Sequence, residues 1–275
     1  MGAGGGNACY LPAVSRELVF ALAAAREAGA LTLEYFGNEG LGTETKGDGS
    51  PVTLADREAE RLLVTRIREV FPDDGILGEE SGETRGTSGR RWILDPIDGT
   101  QSFVHGVPLY GTLVALETGG RPVVGVVCMP ALREAFFAAR GEGAFWARDV
   151  GGNEAIVRAR VSAVDRLDRA LLCTTSRRGF DRTGRTGVYE RLRERVAHER
   201  GWSDCYGHML VATGRAEIML DPKMEIWDCA ALQPIVEEAG GRFTDFSGAP
   251  THRGGSAIST NLALADEVRA LARMI

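Results

Sequence analysis

The sequence predicts an α+β fold in which two helices pack against a largely antiparallel sheet and a smaller α/β part follows. The first half contains two long amphipathic segments and then several short apolar runs separated by glycine-bearing turns. The second half alternates strand-like runs with helical segments, which is typical of layered α/β structure. The 275 residues contain no internal repeat and no clear linker. We therefore expect a flexible tail at residues 1–14 and two subdomains, 15–150 and 151–275, that pack as one unit.

Two helices are predicted in the first half, at residues 15–35 and 54–70, with Ser15 and Thr53 as candidate N-caps. The segment 37–50 between them is rich in glycine and charged residues and is predicted to be a loop. The sheet that these helices cover is predicted to contain strands at residues 75–78, 91–94, 109–117, 123–129 and 134–139.

The second half is predicted to contain three short strands and four helices. The strands are expected at residues 171–174, 216–220 and 241–244, and the helices at 187–199, 206–213, 228–239 and 261–274.

Composition excludes several classes of function. The net charge of −6 lacks the basic excess that nucleic-acid binding needs. The apolar run at residues 18–30 is interrupted by Arg26 and Glu27, so it does not predict a membrane span. Five scattered cysteines show neither a disulfide framework nor zinc spacing, which favours a reducing compartment. We expect a soluble, cytoplasmic protein.

The most informative stretch is Trp92-Ile-Leu-Asp-Pro-Ile-Asp-Gly-Thr100. An apolar strand leads into Asp95, and Asp98 follows three residues later on a turn, so the two carboxylates can meet at a strand end. Carboxylate oxygens are the ligands that Mg²⁺ prefers, and two of them can bridge two metal ions. Gly99 and Thr100 are predicted to begin a helix whose free amides bind phosphate.

Other acidic residues strengthen this interpretation. Glu79 and Glu80 follow an apolar run, Asp56 lies in the first turn of a predicted helix, and Asp228 begins another. Each alone has an ordinary structural explanation, such as a solvated loop or a helix cap. Together they predict a magnesium-dependent phosphomonoesterase.

These motifs resemble the inositol monophosphatase superfamily. The matching segments are Pro51-Val-Thr53 with Asp56, Gly78-Glu-Glu-Ser81, Trp92 to Thr100, Trp227-Asp228, and Glu238-Ala-Gly-Gly241, and they occur in the family's order. The resemblance implies a five-layered αβαβα sandwich and a mechanism with two or three Mg²⁺ ions.

The resemblance also implies roles for individual residues. Glu79, Asp95 and the Ile97 carbonyl would hold one magnesium ion, and Asp95, Asp98 and Asp228 a second. Glu79 and Thr100 would activate the attacking water, with Asp56 as a further catalytic candidate. The amides of Gly99 and Thr100 would bind the phosphate, with Asp98 close to it.

Within the superfamily, the chain is most similar to the histidinol-phosphate phosphatases. Segments 102–111 and 204–208 carry this similarity, together with Asp221-Pro222. Histidinol phosphate carries an ammonium and an imidazole, which acidic groups such as Asp221 and Glu225 would attract. The predicted reaction is hydrolysis of L-histidinol phosphate to L-histidinol and phosphate, in histidine biosynthesis.

Alternatives remain open at this stage. An inositol monophosphatase or a phosphatase of broad specificity for sugar and nucleotide phosphates is the enzymatic alternative, and a non-catalytic regulatory member of the fold is another. The expected partner is a small phosphate monoester, with no nucleic acid or membrane, and a homodimer is a candidate assembly. We expect His105 to form a loop hydrogen bond and His208 to pack in the core.

Overall fold

The computed structural model describes residues 14–37, 44–45, 51–52 and 54–273. The candidate cap Thr53 and most of the predicted loop at 37–50 lie outside the described residues, as does all but Val14 of the predicted tail. The α-helices of the described part are α1 (Arg16–Leu33), α2 (Leu54–Val70), α3 (Thr100–Val104), α4 (Arg177–Thr183), α5 (Thr186–Arg193), α6 (Asp204–Ala212), α7 (Ile226–Ala230), α8 (Leu232–Glu238) and α9 (Ala265–Arg273).

A large sheet of eight strands occupies the first half. Its strands are β3 (Gly75–Gly78), β4 (Gly82–Thr84), β5 (Arg90–Asp98), β6 (Gly111–Thr118), β7 (Arg121–Met129), β8 (Glu134–Ala139), β9 (Gly143–Arg148) and β10 (Ala155–Arg158), and a short pair, β1 (Glu44–Thr45) and β2 (Pro51–Val52), precedes them. The order across the large sheet is β10-β9-β8-β7-β6-β5-β3-β4, and β3–β5 is its one parallel pair. The predicted antiparallel-rich sheet is therefore confirmed.

A smaller sheet of five strands lies in the second half. Its strands are β11 (Leu171–Thr174), β12 (His198–Arg200), β13 (Ile218–Asp221), β14 (Arg242–Thr244) and β15 (Ala257–Thr260). They are ordered β12-β11-β13-β15-β14, with parallel pairs on both sides of β11 and antiparallel pairs on both sides of β15.

The helices and the two sheets form five layers. Helices α1 and α2 cover the outer face of the large sheet, and α6, α7 and α8 lie between the two sheets. Helices α5 and α9 share a core with the outer face of the small sheet. This is the αβαβα sandwich that the family resemblance implied.

The first two helices follow the predicted apolar periodicity. Ala55, Ala59, Leu63 and Ile67 recur every four residues along α2, and all four are buried against the sheet. Ser15 is the N-cap of α1, as predicted, and has an extended backbone, but its hydroxyl makes no capping hydrogen bond. Its amide instead donates to the carboxylate of Glu142.

Several element boundaries differ from the predictions. The predicted helix 187–199 ends at Arg193, and its last residues form the edge strand β12. The predicted helix 228–239 consists of two helices, α7 and α8. Strand β10 pairs with β9 and extends the large sheet to Arg158. The subdomain boundary at residue 150 stays a prediction. Among the described residues, no helix combines the length and apolarity that crossing a membrane requires.

Candidate active site

Parallel pairing of β3 and β5 brings two predicted metal ligands together. Gly78 pairs with Leu94, so Glu79 and Asp95 are the next residues on adjacent strands. The amide of Glu79 donates to the Leu94 carbonyl at 3.2 Å, which holds the loop against β5. Their carboxylates are close enough to interact, because the charge of Glu79 raises the pKa of Asp95 beyond the effect of burial.

A bulge in β5 places Asp98. Asp95 pairs with Leu113 and Asp98 with Gly111, so two residues of β5 face one residue of β6 between these pairs. The bulged Pro96 carbonyl accepts a hydrogen bond from the Thr112 hydroxyl at 2.9 Å. Pro96 has no amide to donate to the ladder. Beyond the bulge, carboxylate oxygens of Asp98 and Asp95 lie within 4.8 Å of each other.

Helix α3 begins at Thr100, as predicted. Gly99 is its N-cap and has a φ of 84°, a left-handed conformation that glycine adopts without strain. A side chain at this position would also approach the Leu109 carbonyl to 3.0 Å. The Thr100 hydroxyl donates to the Ile97 carbonyl at 3.1 Å. The first amides of α3 have no partner within the helix and are the candidate phosphate donors.

Asp228 reaches the site from α7, but it is not the N-cap. Glu225 is the N-cap, and Asp228 occupies the third helical position of a reciprocal capping box. Oδ2 of Asp228 accepts the Glu225 amide at 2.7 Å. The Glu225 side chain in turn accepts the amide of Asp228. This exchange fixes the direction in which the Asp228 carboxylate points.

Asp95, Asp98 and Asp228 form a carboxylate cluster. Each offers one oxygen, and these three oxygens lie within 4.8 Å of one another. Burial and the charges of Glu79, Asp98 and Asp228 raise the pKa of Asp95 well above its usual range. Burial, together with Asp204 and Asp228, does the same for Asp98, and burial raises the pKa of Asp228 to about 7. A divalent cation would reverse these shifts, because it compensates the mutual repulsion of the carboxylates.

The donor set fits a hard divalent cation. Oδ1 of Asp95 is buried and accepts no hydrogen bond from the described residues. A buried carboxylate oxygen without a donor is costly, and a metal ion would supply its partner. Glu79 follows β3, and Ile97 lies in β5 next to Asp98. The Glu79 carboxylate and the Ile97 carbonyl would add oxygen ligands of the kind that Mg²⁺ prefers.

Asp204 lies at the site, although it is not among the site residues predicted from the sequence. It begins α6 with a φ of 53°, which is uncommon for a residue other than glycine. The next amide, that of Cys205, donates to Oδ2 of Asp98 at 2.6 Å. Burial and the charge of Asp221 raise the pKa of Asp204 to about 7. The histidinol-phosphatase-like segment 204–208 was the only sequence signal for this residue.

A pocket of about 120 Å³ adjoins the carboxylate cluster, and acidic residues dominate its polar lining. Asp98, Asp204, Asp221 and Asp228 all line it, and Lys223 is the one basic residue that lines it in the described part of the chain. Asp221, the predicted leaving-group contact, is buried at the end of β13. The other lining residues are Thr175, Ser176, Gly179, Pro222 and Met224.

Glu225 is placed differently from the prediction. It is exposed, its side chain caps α7, and it is not among the residues that line the pocket. Its carboxylate therefore acts on the helix that carries Asp228. Among the described residues that line the pocket, Asp204 and Asp221 are the acidic ones outside the predicted metal ligands.

A buried glutamate on α2 supports the Glu79 loop. Glu60 accepts the amides of Glu80 at 2.9 Å and Ser81 at 2.7 Å. Gly78 is required beside it, because a Cβ there would lie 2.5 Å from the Glu60 carboxylate. Asp56, the additional catalytic candidate, is fully buried one helical turn earlier on α2.

The two histidine predictions have different outcomes. Nδ1 of His105 contacts the Gln101 carbonyl at 2.8 Å, which is the expected loop hydrogen bond. His208 is buried in the core as expected, but it also contacts Asp221 and Ser259 through its ring nitrogens. Its position next to a pocket residue could not be inferred from its helical neighbours.

The layered fold and the carboxylate cluster define a metal-dependent phosphomonoesterase. The inositol monophosphatase family model matches residues 14–273. The chain belongs to this family, and it is a phosphoric monoester hydrolase.

Two curated relatives and one solved structure show which members of the family this chain is similar to. The histidinol-phosphatase of Chlorobaculum parvum is 47% identical over 232 residues, covering 84% of this chain and 86% of that protein. The histidinol-phosphatase of Mycobacterium tuberculosis is 43% identical over 92% of this chain and 96% of its own. Among solved structures, the extragenic suppressor protein suhB from Bartonella henselae has a TM-score of 0.85 at 31% identity, covering 94% of this chain and 99% of that one.

Proposed function

We propose that this enzyme hydrolyses L-histidinol phosphate to L-histidinol and phosphate, with Mg²⁺ as cofactor. The observation that carries the proposal is the pair Asp204 and Asp221, which line the pocket beside the carboxylate cluster. Two relatives of 43% and 47% identity bear the name histidinol-phosphatase, and this supports the same substrate.

The chemistry of the leaving group suits this pocket. Histidinol carries an ammonium and an imidazole, and two carboxylates beyond the phosphate position would attract a cation in a partly desolvated site. A neutral polyol would gain only hydrogen bonds from the same side chains. The pocket therefore favours a cationic alcohol as the leaving group.

Two or three Mg²⁺ ions complete the proposed site. Glu79, Asp95 and the Ile97 carbonyl would hold one ion, and Asp95, Asp98 and Asp228 another. When bound, Mg²⁺ lowers the pKa of a water molecule and neutralises charge on the phosphate oxygens.

The protein's own groups orient the reaction. The first amides of α3, from Gly99 and Thr100, bind the phosphate oxygens, and Asp98 lies beside them. The Thr100 hydroxyl holds the attacking water, and a carboxylate oxygen of Glu79 accepts its proton. Asp56, buried in the first turn of α2, is the further catalytic candidate that the family resemblance implies.

Inositol phosphate or a broader range of phosphate esters is the second candidate. The family match favours it, because the family model is that of the inositol monophosphatases. A non-catalytic role is disfavoured by the presence of every carboxylate that the family resemblance requires. The homodimer and the cytoplasmic location stay predictions. Light scattering of the purified protein tests whether it is a dimer.

The test is phosphate release from L-histidinol phosphate and from inositol 1-phosphate, each with Mg²⁺ and with EDTA. We expect magnesium-dependent turnover with a higher kcat/KM for histidinol phosphate. A preference for inositol phosphate, or equal turnover of both, would refute the substrate but not the reaction class. Absence of turnover with any monoester would refute the enzyme assignment.

A further inference from the structure

His208 connects the leaving-group pocket to the small sheet. The residue is fully buried on α6, and its Nε2 lies 3.2 Å from Oδ2 of Asp221. Its Nδ1 lies 2.7 Å from the hydroxyl of Ser259, which is also buried. Asp221 therefore lines the pocket while the buried ring of His208 holds one of its carboxylate oxygens.

The partners determine the direction of these hydrogen bonds. A carboxylate oxygen accepts hydrogen bonds, so Nε2 of His208 donates to Oδ2 of Asp221. The serine hydroxyl can donate to Nδ1, which leaves the ring in the tautomer that Asp221 needs. The three side chains come from three elements: α6, β13 and β15. Because Met219 pairs with Ser259 and Asp221 with Ala257, the adjacent strands hold Asp221 and Ser259 in register.

We propose that His208 is a positioning residue that holds the Asp221 carboxylate toward a cationic leaving group. This inference rests on the leaving-group role of Asp221 proposed above. Without the ring, Asp221 would lose the donor that fixes one oxygen and could turn away from the pocket. Asp204, whose charge acts on Asp221 from the pocket side, would favour such a rotation because like charges repel.

A purely structural role for His208 predicts a different result. A buried histidine that only satisfies its hydrogen bonds would affect stability and all substrates alike. A positioning role predicts a loss restricted to esters whose leaving group carries a positive charge. The two roles are therefore distinguished by the ratio of the KM values for a cationic and a neutral ester, measured on the same protein.

The experiment compares phosphoethanolamine, which has a cationic leaving alcohol, with glycerol 2-phosphate, whose alcohol is neutral. His208→Leu should raise KM for the cationic ester about ten-fold relative to the neutral one, as expected for losing a hydrogen bond to a charged group. His208→Gln retains a donor and should recover part of this loss. Met209→Leu, at the next buried position of α6, is the matched control and should leave the ratio unchanged.

A double-mutant cycle identifies the residue through which His208 acts. In an Asp221→Asn background, His208→Leu should change the ratio no further, because the two residues act as one unit. Additive effects, or equal losses on both esters, would overturn the proposal. If His208→Leu does not fold, Ser259→Ala replaces it and should also raise KM for the cationic ester relative to the neutral one. An unchanged ratio of the two KM values in Ser259→Ala would also overturn the proposal. If the wild type prefers inositol 1-phosphate, the proposed substrate is refuted. The double-mutant cycle still tests the coupling of His208 to Asp221, because it does not depend on which natural substrate the enzyme prefers.

Discussion

The amide of Cys205 donates a 2.6 Å hydrogen bond to Oδ2 of Asp98, across 107 residues of chain. Asp98 ends β5 of the large sheet, and Cys205 lies in the first turn of α6, between the two sheets. The left-handed backbone of Asp204, immediately before Cys205, aims this amide. The same turn therefore orients Asp98, a proposed metal ligand, and places Asp204 in the lining of the pocket.

Asp95→Asn should abolish turnover while the fold persists. Asp95 is the carboxylate shared by both proposed metal positions, so we expect a loss of at least about 1,000-fold in kcat. The variant removes one of several mutually repelling charges, and its melting temperature in EDTA should therefore equal or exceed that of the wild type. Saturating Mg²⁺ should stabilise the wild type by roughly 2.7 kcal/mol at 100 times its Kd, and the variant less.

Thermal unfolding in EDTA measures the melting temperature of Asp95→Asn, and unfolding with Mg²⁺ measures how much the ion stabilises it. Asp266→Asn, at an exposed position in the first turn of α9, is the control and should retain full activity. Retained turnover in Asp95→Asn would contradict the shared-ligand scheme.

Glu60→Gln should lower kcat without unfolding the protein. Both Glu60 oxygens accept loop amides, of Glu80 and Ser81, and a glutamine can accept only one of these bonds. The loop that carries Glu79 would lose its support, and we expect a decrease of about 10- to 100-fold, the usual range when a partner that orients a metal ligand is removed. Glu58→Gln on the same helix is the control, because Glu58 contacts Tyr35 and Arg61 rather than the loop.

Steady-state kinetics over a range of Mg²⁺ concentrations measures the effect of Glu60→Gln. If excess Mg²⁺ restores the rate, Glu60 acts through metal affinity. A variant with wild-type kcat at every concentration would show that the Glu79 loop needs no support from α2.

The residues that carry the chemistry could be predicted where they lie next to each other in the chain. Asp95, Asp98, Gly99 and Thr100 form one strand-turn-helix segment, so their proximity follows from local geometry. Glu79 follows an apolar run, and its place in the same site is implied by the family resemblance. Asp204 could not be inferred from spacing, since only packing of α6 against the end of β5 brings it near.

The second half was harder to predict for a related reason. His198 and Glu199 end the predicted helix 187–199, yet they form β12 together with Arg200. Their strand conformation comes from parallel pairing with β11, a long-range contact. Strand β15 has no polar alternation because it is buried, so periodicity gave no signal for it.

Glu117 should make stability depend on pH far from the active site. It is buried at the end of β6 and contacts His252, Arg91 and Arg253. Burial raises its pKa, but the bond from His252 and the two arginines outweigh burial, so the net pKa lies below its ordinary 4.5. The stabilisation is therefore complete above pH 4.5 and is lost as the pH falls through the lower pKa of the folded state.

Glu117→Gln should reduce the free energy of unfolding at pH 7 by roughly 1.5–3 kcal/mol, the contribution of hydrogen bonds to a charged group. The difference from wild type should shrink as the pH falls below 4.5. Urea unfolding at several pH values measures it. Glu83→Gln removes the other, more exposed carboxylate bound to Arg91 and should change stability by less than about 1 kcal/mol. A constant difference at all pH values would show that packing rather than charge is lost.

Asp204→Asn and Glu225→Gln should separate leaving-group recognition from helix capping. Asp204 lines the pocket, so removing its charge should raise KM for histidinol phosphate about ten-fold and affect glycerol 2-phosphate much less. Asparagine tolerates the left-handed backbone at this position, which keeps the Cys205 amide aimed at Asp98. Glu225 caps α7 outside the pocket, and its variant should lose about 1 kcal/mol of stability with an unchanged ratio of the two KM values. A change of ratio in Glu225→Gln, with none in Asp204→Asn, would return the leaving-group contact to Glu225 and contradict the assignment made from the pocket.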